Sequence, residues 1–171
     1  MIAPPFRLAY WVDEPRFMAG CFPGHADPRL ADRQLSALLG AGLRTFVDLM
    51  DEDPRFGAAP YAPRLEALAA EGGAEVTVLR FEVSDNDVPS HVLLTRILDA
   101  IDAAIAAARP VYLHCWGGRG RAGTVVGAWL VRHGRATGEN FVEVIARLRA
   151  GAPGTSPETD EQIAFVRDLR P

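Results

Sequence analysis

Two residues that could do chemistry together, Cys115 and Arg121, stand at the two ends of a glycine-rich stretch. The β-branched and aromatic residues 111–113 before this stretch predict a buried strand. The apolar run after Arg121, which stops at Gly134, predicts a helix. A strand, a glycine-rich loop and a helix N-terminus form an anion site, because backbone N–H groups and the helix dipole both favour negative charge there. Residues 111–124 are therefore interpreted as a strand–phosphate loop–helix unit.

The chemistry that suits this pair is phosphoryl transfer to sulfur. A thiol is a strong nucleophile only when ionised, and the loop amides, the helix N-terminus and Arg121 all favour the thiolate of Cys115. Arg121 can bind two phosphoryl oxygens at once and keeps its charge. We therefore expect Cys115 to attack phosphorus while the loop binds the oxyanion. The predicted phosphate-binding residues are Trp116, Gly117, Gly118, Arg119, Gly120 and Arg121.

A family resemblance rests on the same residues. His114 followed by Cys115, five further residues and Arg121 resembles the His-Cys-x5-Arg signature of protein tyrosine phosphatases and dual-specificity phosphatases. The string His-Cys-Trp-Gly-Gly-x-Gly-Arg most resembles the compact, kinase-associated-phosphatase-like group of dual-specificity enzymes. This resemblance implies that His114 orders the loop and helps to keep the thiolate ionised.

Size and composition favour one enzyme domain, residues 1–171, over a nucleic-acid or membrane protein. The chain has 171 residues and a net charge of −4, and no basic patch stands out. No apolar run approaches the ~20 residues of a membrane span, and the N-terminus lacks a signal-peptide pattern. The two cysteines, Cys21 and Cys115, are too few for a disulfide scaffold, which suits a reducing cytoplasm. We expect no cofactor, and His114 has no second ligand at metal-site spacing.

Strand and helix patterns alternate along the chain, which predicts an α/β fold: a single three-layer domain with a mostly parallel sheet of four to five strands flanked by helices. Residues 1–26 are interpreted as an aromatic-rich segment with a short edge strand at 17–20, and with Tyr10 and Trp11 packed over the core. The other predicted strands are 44–49, 76–81 and 111–113. Predicted helices begin at 27–28, 63, after the loop 84–90, 121, 140 and 156–157.

A general acid is needed as well, because an alkoxide is a poor leaving group. The carboxyl ends of parallel strands meet at one edge of a sheet, so two acidic loops should lie beside the phosphate loop. Four aspartates in these loops are candidates for the acid: Asp51, Asp53, Asp85 and Asp87. Residues 81–90 resemble the family's acid loop, in which an aspartate precedes a proline by four residues, as Asp85 precedes Pro89. Asp87 is the alternative acid, and it could instead cap the following helix.

Two positions depart from the family pattern. Many relatives carry Ser or Thr at the position of Ala122, where the hydroxyl stabilises the departing thiolate, so the resemblance implies slow hydrolysis of the phosphocysteine here. Thr124, two residues further on, is the nearest hydroxyl in sequence. Arg119 stands at a position that is often neutral in dual-specificity enzymes. It could select substrates with more than one phosphate, or it could be a solvated charge or form a salt bridge with an acidic loop.

Two further residues each have a functional and a structural interpretation. Larger tyrosine phosphatases position the hydrolytic water with a glutamine, and Gln162 could do so here; alternatively, residues 156–157 begin a helix and Gln162 lies on its polar face. Cys21 could be a redox partner of Cys115, because reactive thiolates oxidise readily, or it could be a small buried residue.

The function predicted from sequence is a phosphatase that hydrolyses phosphomonoesters through a phosphocysteine intermediate, with phosphotyrosine, phosphoserine and phosphothreonine proteins as substrates. One alternative, suggested by Arg119, is a phosphoinositide or inositol phosphate phosphatase. A second, suggested by Ala122, is a phosphate-recognising binding module with weak turnover. A rhodanese-type sulfurtransferase is disfavoured by the signature and by its partner Asp85. Expected partners are a phosphorylated protein or a small phosphorylated substrate, with no nucleic acid and no membrane span.

Overall fold

The structure, a computed structural model, describes residues 3–169, so the predicted domain bounds at residues 1 and 171 lie outside the described residues. The strands are β1 (Ala9–Asp13), β2 (Phe17–Gly20), β3 (Thr45–Met50), β4 (Thr77–Val83) and β5 (Val111–His114). The helices are α1 (Pro28–Gly40), α2 (Ala62–Glu71), α3 (His91–Ala106), α4 (Gly120–Arg132), α5 (Phe141–Leu148) and α6 (Asp160–Arg167).

One sheet of five strands, in the order β1-β2-β5-β3-β4, forms the middle layer of the molecule. All neighbouring strands are parallel except the antiparallel pair β1–β2. Helices α1 and α2 pack on one face, through Leu35, Leu38 and Leu65. Helices α3 to α6 pack on the other face, through Ile97, Val125, Ile145 and Val166. The predicted α/β fold with a mostly parallel sheet is confirmed.

The strand β5 occupies the centre of the sheet, between β2 and β3. Its four residues are all buried, because helices cover both faces and a strand lies on each side. The chain leaves β5 after His114 and enters α4 at Gly120. The carboxyl ends of β5, β3 and β4 therefore open onto one edge of the sheet, with the loops that follow them side by side.

The predicted edge strand at 17–20 exists as β2, but its edge position was wrong. Residues 9–13 form the outer strand β1, which pairs with β2 through a register shift between Trp11 and Asp13. Tyr10 and Trp11 are buried in the core, as predicted, and they lie there as neighbouring residues of this strand that point to opposite faces of the sheet.

One predicted helix cap, and one cap considered as an alternative, were also wrong. Asp27 does cap α1, with its carboxylate accepting from the Arg29 N–H at 2.9 Å. At α3, however, Ser90 and not Asp87 is the cap. The last helix begins at Asp160 after the cap Thr159, and residues 156–157 lie in the preceding loop. None of the helices in residues 3–169 has the length and apolarity needed to cross a bilayer.

Candidate active site

The loop between β5 and α4 is held tightly against the end of β2. Gly118 has a φ of +67°, in the left-handed region that favours glycine. A Cβ at Gly118 would overlap the main chain of Gly20 and Cys21. Gly117, in contrast, is exposed and would meet nothing within 4 Å. The loop therefore needs glycine at residue 118 for both its backbone angles and its close contact.

The nucleophile, arginine and acid that were predicted separately lie around one cavity of about 320 Å³. Cys115, at its base, is 3 % exposed. The residues that line the cavity are Arg55, Asp85, Asn86, Cys115, Trp116, Gly117, Arg119, Gly120, Arg121 and Glu158. Five of the six predicted phosphate-binding residues are in this set, and the sixth, Gly118, is buried against β2.

Arg121 is almost completely buried, at 2 % exposure, and both terminal nitrogens of its guanidinium contact oxygen atoms of other residues. Nη1 donates to Glu52 Oε2 at 2.8 Å and to the Val83 carbonyl at 3.1 Å. Nη2 donates to Glu52 Oε1 at 2.9 Å and lies 3.1 Å from Asp85 Oδ1. Glu52 was not singled out from the sequence, although it lies in the acidic loop predicted to flank the site.

The paired charges shift each other's pKa values. The hydrogen bonds from Arg121 lower the pKa of Glu52 from 4.5 to about 2, against an opposing contribution from burial. Burial is the largest influence on Arg121 and lowers its pKa, but the hydrogen bonds to Glu52 and the charges of Cys115, Glu52 and Asp85 outweigh it and raise that pKa. Both groups are therefore charged over the whole neutral range.

Asp85, and not Asp87, has its carboxylate in the cavity. Its Oδ2 accepts from Arg55 Nη2 at 2.7 Å, and its Oδ1 faces Arg121. The carboxylate of Asp87 instead accepts from the Val88 N–H at 2.7 Å, outside the cavity lining. Of the two remaining candidates, Asp51 lies 3.6 Å from Arg121, and Asp53 lines a different cavity beside β3.

His114 is fully buried directly before the nucleophile. Its Nδ1 lies 3.4 Å from the Cys115 carbonyl and 4.0 Å from Asp48 Oδ1, and both are acceptors. Its Nε2 lies 2.8 Å from the Tyr61 hydroxyl. Burial lowers the pKa of His114, so we assign a neutral ring that carries its proton on Nδ1 and accepts from Tyr61 at Nε2. Tyr61 was not identified as a site residue from sequence, because it lies far from the signature.

Arg119 is paired in a salt bridge with Glu158 and is not a free charge. Its Nη1 lies 3.2 Å from Glu158 Oε1, and its Nε donates to the Thr155 carbonyl at 3.1 Å. The Arg119 carbonyl in turn accepts from Ser156 Oγ at 2.8 Å. Residues 155–158 thus hold the loop from outside, and the salt-bridge interpretation of Arg119 matches its contacts.

Gln162 is buried beneath the loop, not exposed on a polar face. Its Oε1 accepts from the N–H groups of Glu158 and Thr159, which completes a capping box on α6. Its Nε2 donates to the Asp87 carbonyl at 3.2 Å. Gln162 therefore links the acid loop to α6 through contacts that account for both ends of its amide.

The two hydroxyl-related positions lie inside α4. Ala122 is fully buried, and so is Thr124. The Thr124 hydroxyl donates to the Gly120 carbonyl at 3.0 Å, one helical turn back. Thr124, the nearest hydroxyl in sequence to Ala122, is therefore engaged with the start of α4.

Cys21 lies behind the loop, where its carbonyl accepts from the Tyr112 hydroxyl at 2.7 Å. Burial raises the pKa of the Cys21 thiol to about 11, so it is a thiol at neutral pH. Both cysteines are free. A neutral, partly buried thiol matches the interpretation of Cys21 as a small packing residue.

An aromatic cluster, defined here as Phe22, Phe56 and Trp116, extends from Trp116, which lines the cavity. Trp116 stacks on Phe22, with centroids 5.2 Å apart, and lies 5.9 Å from Phe56. The Arg55 guanidinium lies 5.8 Å from the Trp116 ring. Phe56 is 85 % exposed and has a φ of +56°. The sequence analysis did not identify Phe22, Phe56 or Arg55 as site residues.

Residues 23–135 of the chain match the family described as a polymorphic toxin system DSP-PTPase phosphatase. This segment contains Cys115, Arg121, Asp85 and Glu52 and spans more than half of the chain. The chain belongs to this phosphatase family. The resemblance to dual-specificity phosphatases is thereby confirmed.

Solved structures of this superfamily share the fold over nearly the whole chain. The active form of Tk-PTP matches with a TM-score of 0.69 and 27 % identity, covering 94 % of this chain and 95 % of Tk-PTP. PTPMT1 in complex with PI(5)P matches with a TM-score of 0.69 and 21 % identity, covering 94 % of this chain and 93 % of PTPMT1. TpbA of P. aeruginosa, in a serine-for-cysteine variant bound to pTyr, matches with a TM-score of 0.67 and 17 % identity. The match covers 98 % of this chain and 88 % of TpbA.

Proposed function

We propose that this phosphatase hydrolyses phosphomonoesters of proteins through a phosphocysteine intermediate, with phosphotyrosine, phosphoserine and phosphothreonine as substrates. The observation that carries the proposal is the convergence of Cys115, Arg121 and Asp85 on one small cavity. A nucleophile, an oxyanion-binding cation and an acid within one site are the three groups that phosphoester cleavage by a thiolate requires.

In the first step, the Cys115 thiolate attacks phosphorus and the bond from phosphorus to the leaving oxygen breaks. Arg121 and the loop amides bind the equatorial oxygens, and Asp85 donates its proton to the leaving oxygen. In the second step, the Asp85 carboxylate takes a proton from water as that water attacks phosphorus. The sulfur–phosphorus bond then breaks, which releases phosphate and restores the thiolate.

Substrate entry also accounts for how Asp85 is released to act. Nη1 and Nη2 of Arg121 already donate to Glu52 and Val83, and Nη2 is also paired with Asp85. An arriving phosphoryl group therefore takes the place of Asp85 on Nη2.

The surroundings of the cavity favour a single phosphate on a protein side chain over a highly phosphorylated small molecule. Arg55 is paired with Asp85 and Glu52, and Arg119 is paired with Glu158. Neither arginine is available to a second phosphate without loss of an ion pair. The exposed ring of Phe56, 5.9 Å from the ring of Trp116 in the cavity lining, adds a surface on which an aromatic leaving group can stack, which favours phosphotyrosine.

The alternative substrate class is a phosphoinositide or inositol phosphate. Its supporting observation is that Arg55 and Arg119 both line the cavity. PTPMT1, a structural neighbour, was crystallised with PI(5)P, whereas TpbA was crystallised with pTyr, so the shared fold is compatible with both classes. Under this alternative, Arg55→Met and Arg119→Met would each lower kcat/KM on an inositol phosphate more than on a phosphotyrosine peptide.

The test compares wild type, Cys115→Ser and Asp85→Asn on four substrates: an activated aryl phosphate, a phosphotyrosine peptide, a phosphoserine peptide and an inositol phosphate. We expect Cys115→Ser to be inactive on all of them. Asp85→Asn should lose about 10²- to 10⁴-fold in kcat on the phosphoserine peptide and little on the activated aryl phosphate, whose leaving group needs no proton. Equal losses on both would exclude Asp85 as the acid, and no turnover by wild type would favour the binding module.

Ala122→Ser tests the second step separately. A hydroxyl at this position should stabilise the departing thiolate, so we expect the pre-steady-state burst to shrink and the steady-state kcat to rise a few-fold, by about 1 kcal/mol of added transition-state stabilisation. Stopped-flow measurement with an activated aryl phosphate gives both quantities. An unchanged second-step rate would show that the alanine does not limit turnover.

A further inference from the structure

The carboxylate of Asp85 is held by two arginines, one at each oxygen. Oδ1 lies 3.1 Å from Nη2 of Arg121, and Oδ2 accepts from Nη2 of Arg55 at 2.7 Å. Within residues 3–169, this carboxylate has no other hydrogen-bond donor. The proposed reaction breaks the first contact, because the phosphoryl group takes its place, and gives the second contact no role.

Arg55 is itself held on two further sides. The nitrogen that binds Asp85, Nη2, also donates to Glu52 Oε1 at 3.2 Å, and the guanidinium lies 5.8 Å from the Trp116 ring. Glu52 in turn accepts from Arg121. These contacts close a ring of alternating charges, formed by Arg121, Glu52, Arg55 and Asp85. When a substrate takes Arg121 from Asp85, the acid therefore stays attached to the ring through Arg55.

The acid loop holds the main chain around Asp85 but not its side chain. The Asp87 N–H donates to the Ser84 carbonyl at 3.0 Å, which closes a turn around Asp85. Gln162 Nε2 donates to the Asp87 carbonyl at 3.2 Å and fixes the far side of this turn. None of these contacts reaches the carboxylate, so its direction depends on the two arginines.

We propose that Arg55 is a positioning residue for the general acid. When a phosphoryl group displaces Oδ1 of Asp85 from Arg121, Arg55 keeps its hydrogen bond to Oδ2, so that Oδ1 is the oxygen presented to the leaving group. The inference rests on the proposed function, in which Asp85 is the acid. Without this anchor both oxygens can turn into the solvent, and a misplaced proton donor protonates the leaving oxygen more slowly.

A purely structural salt bridge would behave differently. The side chains of Arg55 and Asp85 are 41 % and 42 % exposed, and an ion pair this exposed contributes little to folding. As a structural contact, the pair could be removed with little change in stability and none in the chemical step. A selective loss in the chemical step therefore separates the positioning role from the structural one.

The test measures the first chemical step alone, in single-turnover reactions with excess enzyme. Rates on a phosphoserine peptide, whose leaving group needs a proton, are compared with rates on an activated aryl phosphate, whose leaving group does not. The variants are Arg55→Met, Arg55→Lys, Asp85→Asn and the double variant Arg55→Met with Asp85→Asn. Arg29→Met, an exposed change on α1, is the control for the loss of one positive charge and should match wild type.

We expect Arg55→Met to lower the first-step rate at saturating enzyme about tenfold on the phosphoserine peptide, and less than about twofold on the aryl phosphate. The enzyme concentration that gives half of this rate should stay the same, because Arg121 and the loop amides bind the phosphoryl group. Arg55→Lys should restore most of the rate, because one nitrogen makes both carboxylate contacts and an ammonium group can replace it. In the double variant, Arg55→Met should cause no loss beyond that of Asp85→Asn, because Arg55 acts through Asp85.

Several results would overturn the role of Arg55. They are a loss in Arg55→Met that is equal on both substrates, a loss that adds to that of Asp85→Asn, a loss that Arg55→Lys does not repair, and a rate equal to or above that of wild type. The proposed function fails in a different way. A loss in Asp85→Asn that is equal on both substrates would remove Asp85 as the acid and the role of Arg55 with it, whereas a selective loss in Asp85→Asn without one in Arg55→Met would overturn the role of Arg55 alone.

Discussion

The two loops that form the active site are built in opposite ways. The loop from Cys115 to Gly120 follows the central strand and is fixed by buried contacts, with Gly118 against the β2 end and residues 155–158 behind it. The loop between β3 and α2, residues 51–60, is mostly exposed and enters the site through ion pairs and one exposed ring. The difference indicates that the first loop provides the nucleophile and the phosphate-binding backbone, whereas the second adjusts the charge around Arg121 and the contacts with the substrate. Substitutions in the two loops should therefore fail in different ways.

The largest effect is expected at Arg121, which follows the first loop and pairs with Glu52 of the second. Arg121→Lys keeps a positive charge, but an ammonium group cannot form bidentate hydrogen bonds with Glu52 or with a phosphoryl group. We expect kcat/KM to fall about 10³-fold, or about 4 kcal/mol of transition-state stabilisation, with the fold intact by circular dichroism. A loss of less than tenfold would mean that charge alone is sufficient.

In the phosphate loop, a methyl group should be enough to disrupt the site. Gly118→Ala combines a left-handed φ with overlap onto Gly20, so we expect a loss of about 2 to 4 kcal/mol in the free energy of unfolding, together with loss of activity. Gly117→Ala, with open space around it, is the matched control and should change stability by about 0.5 kcal/mol at most. Chemical denaturation of the two variants measures the contrast, and equal destabilisation would contradict it.

In the β3–α2 loop, Glu52→Gln should produce a pH-dependent effect. Because Arg121 lowers the pKa of folded Glu52 to about 2, the stabilisation is complete above the unfolded value near 4.5 and is lost as the pH falls towards 2. The variant should therefore be less stable than wild type at pH 7, and the difference should shrink between about pH 5 and pH 2.

Thermal unfolding of wild type and Glu52→Gln across this pH range measures the effect. Glu66→Gln, an exposed change on α2, is the control and should run parallel to wild type. A constant difference between Glu52→Gln and wild type would show that the ion pair with Arg121 does not contribute to folding.

The smallest effect is expected at the exposed edge of the same loop. Phe56→Ala removes a ring that is 85 % exposed, so stability should hardly change. The KM for a phosphotyrosine peptide should rise about three- to tenfold, because ring stacking contributes about 0.5 to 1.5 kcal/mol. The KM for a phosphoserine peptide should stay the same. Val92→Ala, a 75 % exposed change at the start of α3, is the control, and equal effects on both peptides would remove Phe56 from substrate recognition.

Sequence reasoning predicted the elements whose signals are local. Asp27 before Pro28, and the glycines around Cys115, specify a helix start and a tight loop through nearby backbone geometry. Asp85 was chosen over Asp87 from its spacing to Pro89, and its carboxylate lies in the cavity while that of Asp87 does not.

The features that sequence reasoning missed depend on contacts between distant residues. Glu52 meets Arg121 across 69 positions, and Tyr61 meets His114 across 53, so no short motif could reveal either pair. The outer strand β1 was not predicted because its five residues lie within a segment that is rich in aromatic residues and turn formers. Gln162 was interpreted either as positioning water or as lying on the polar face of a helix. Its burial was not predicted, because it depends on the position of Gly120 and of the acid loop.

The central claim is that Cys115 forms a covalent bond to phosphorus during turnover. The most direct measurement is a rapid denaturing quench after mixing with a phosphotyrosine peptide, followed by mass spectrometry of the peptide that contains Cys115. We expect one phosphoryl group on Cys115 in wild type within the first turnover, and none in Cys115→Ser. Continued turnover without any phosphocysteine, or a phosphoryl group on another residue, would contradict this account.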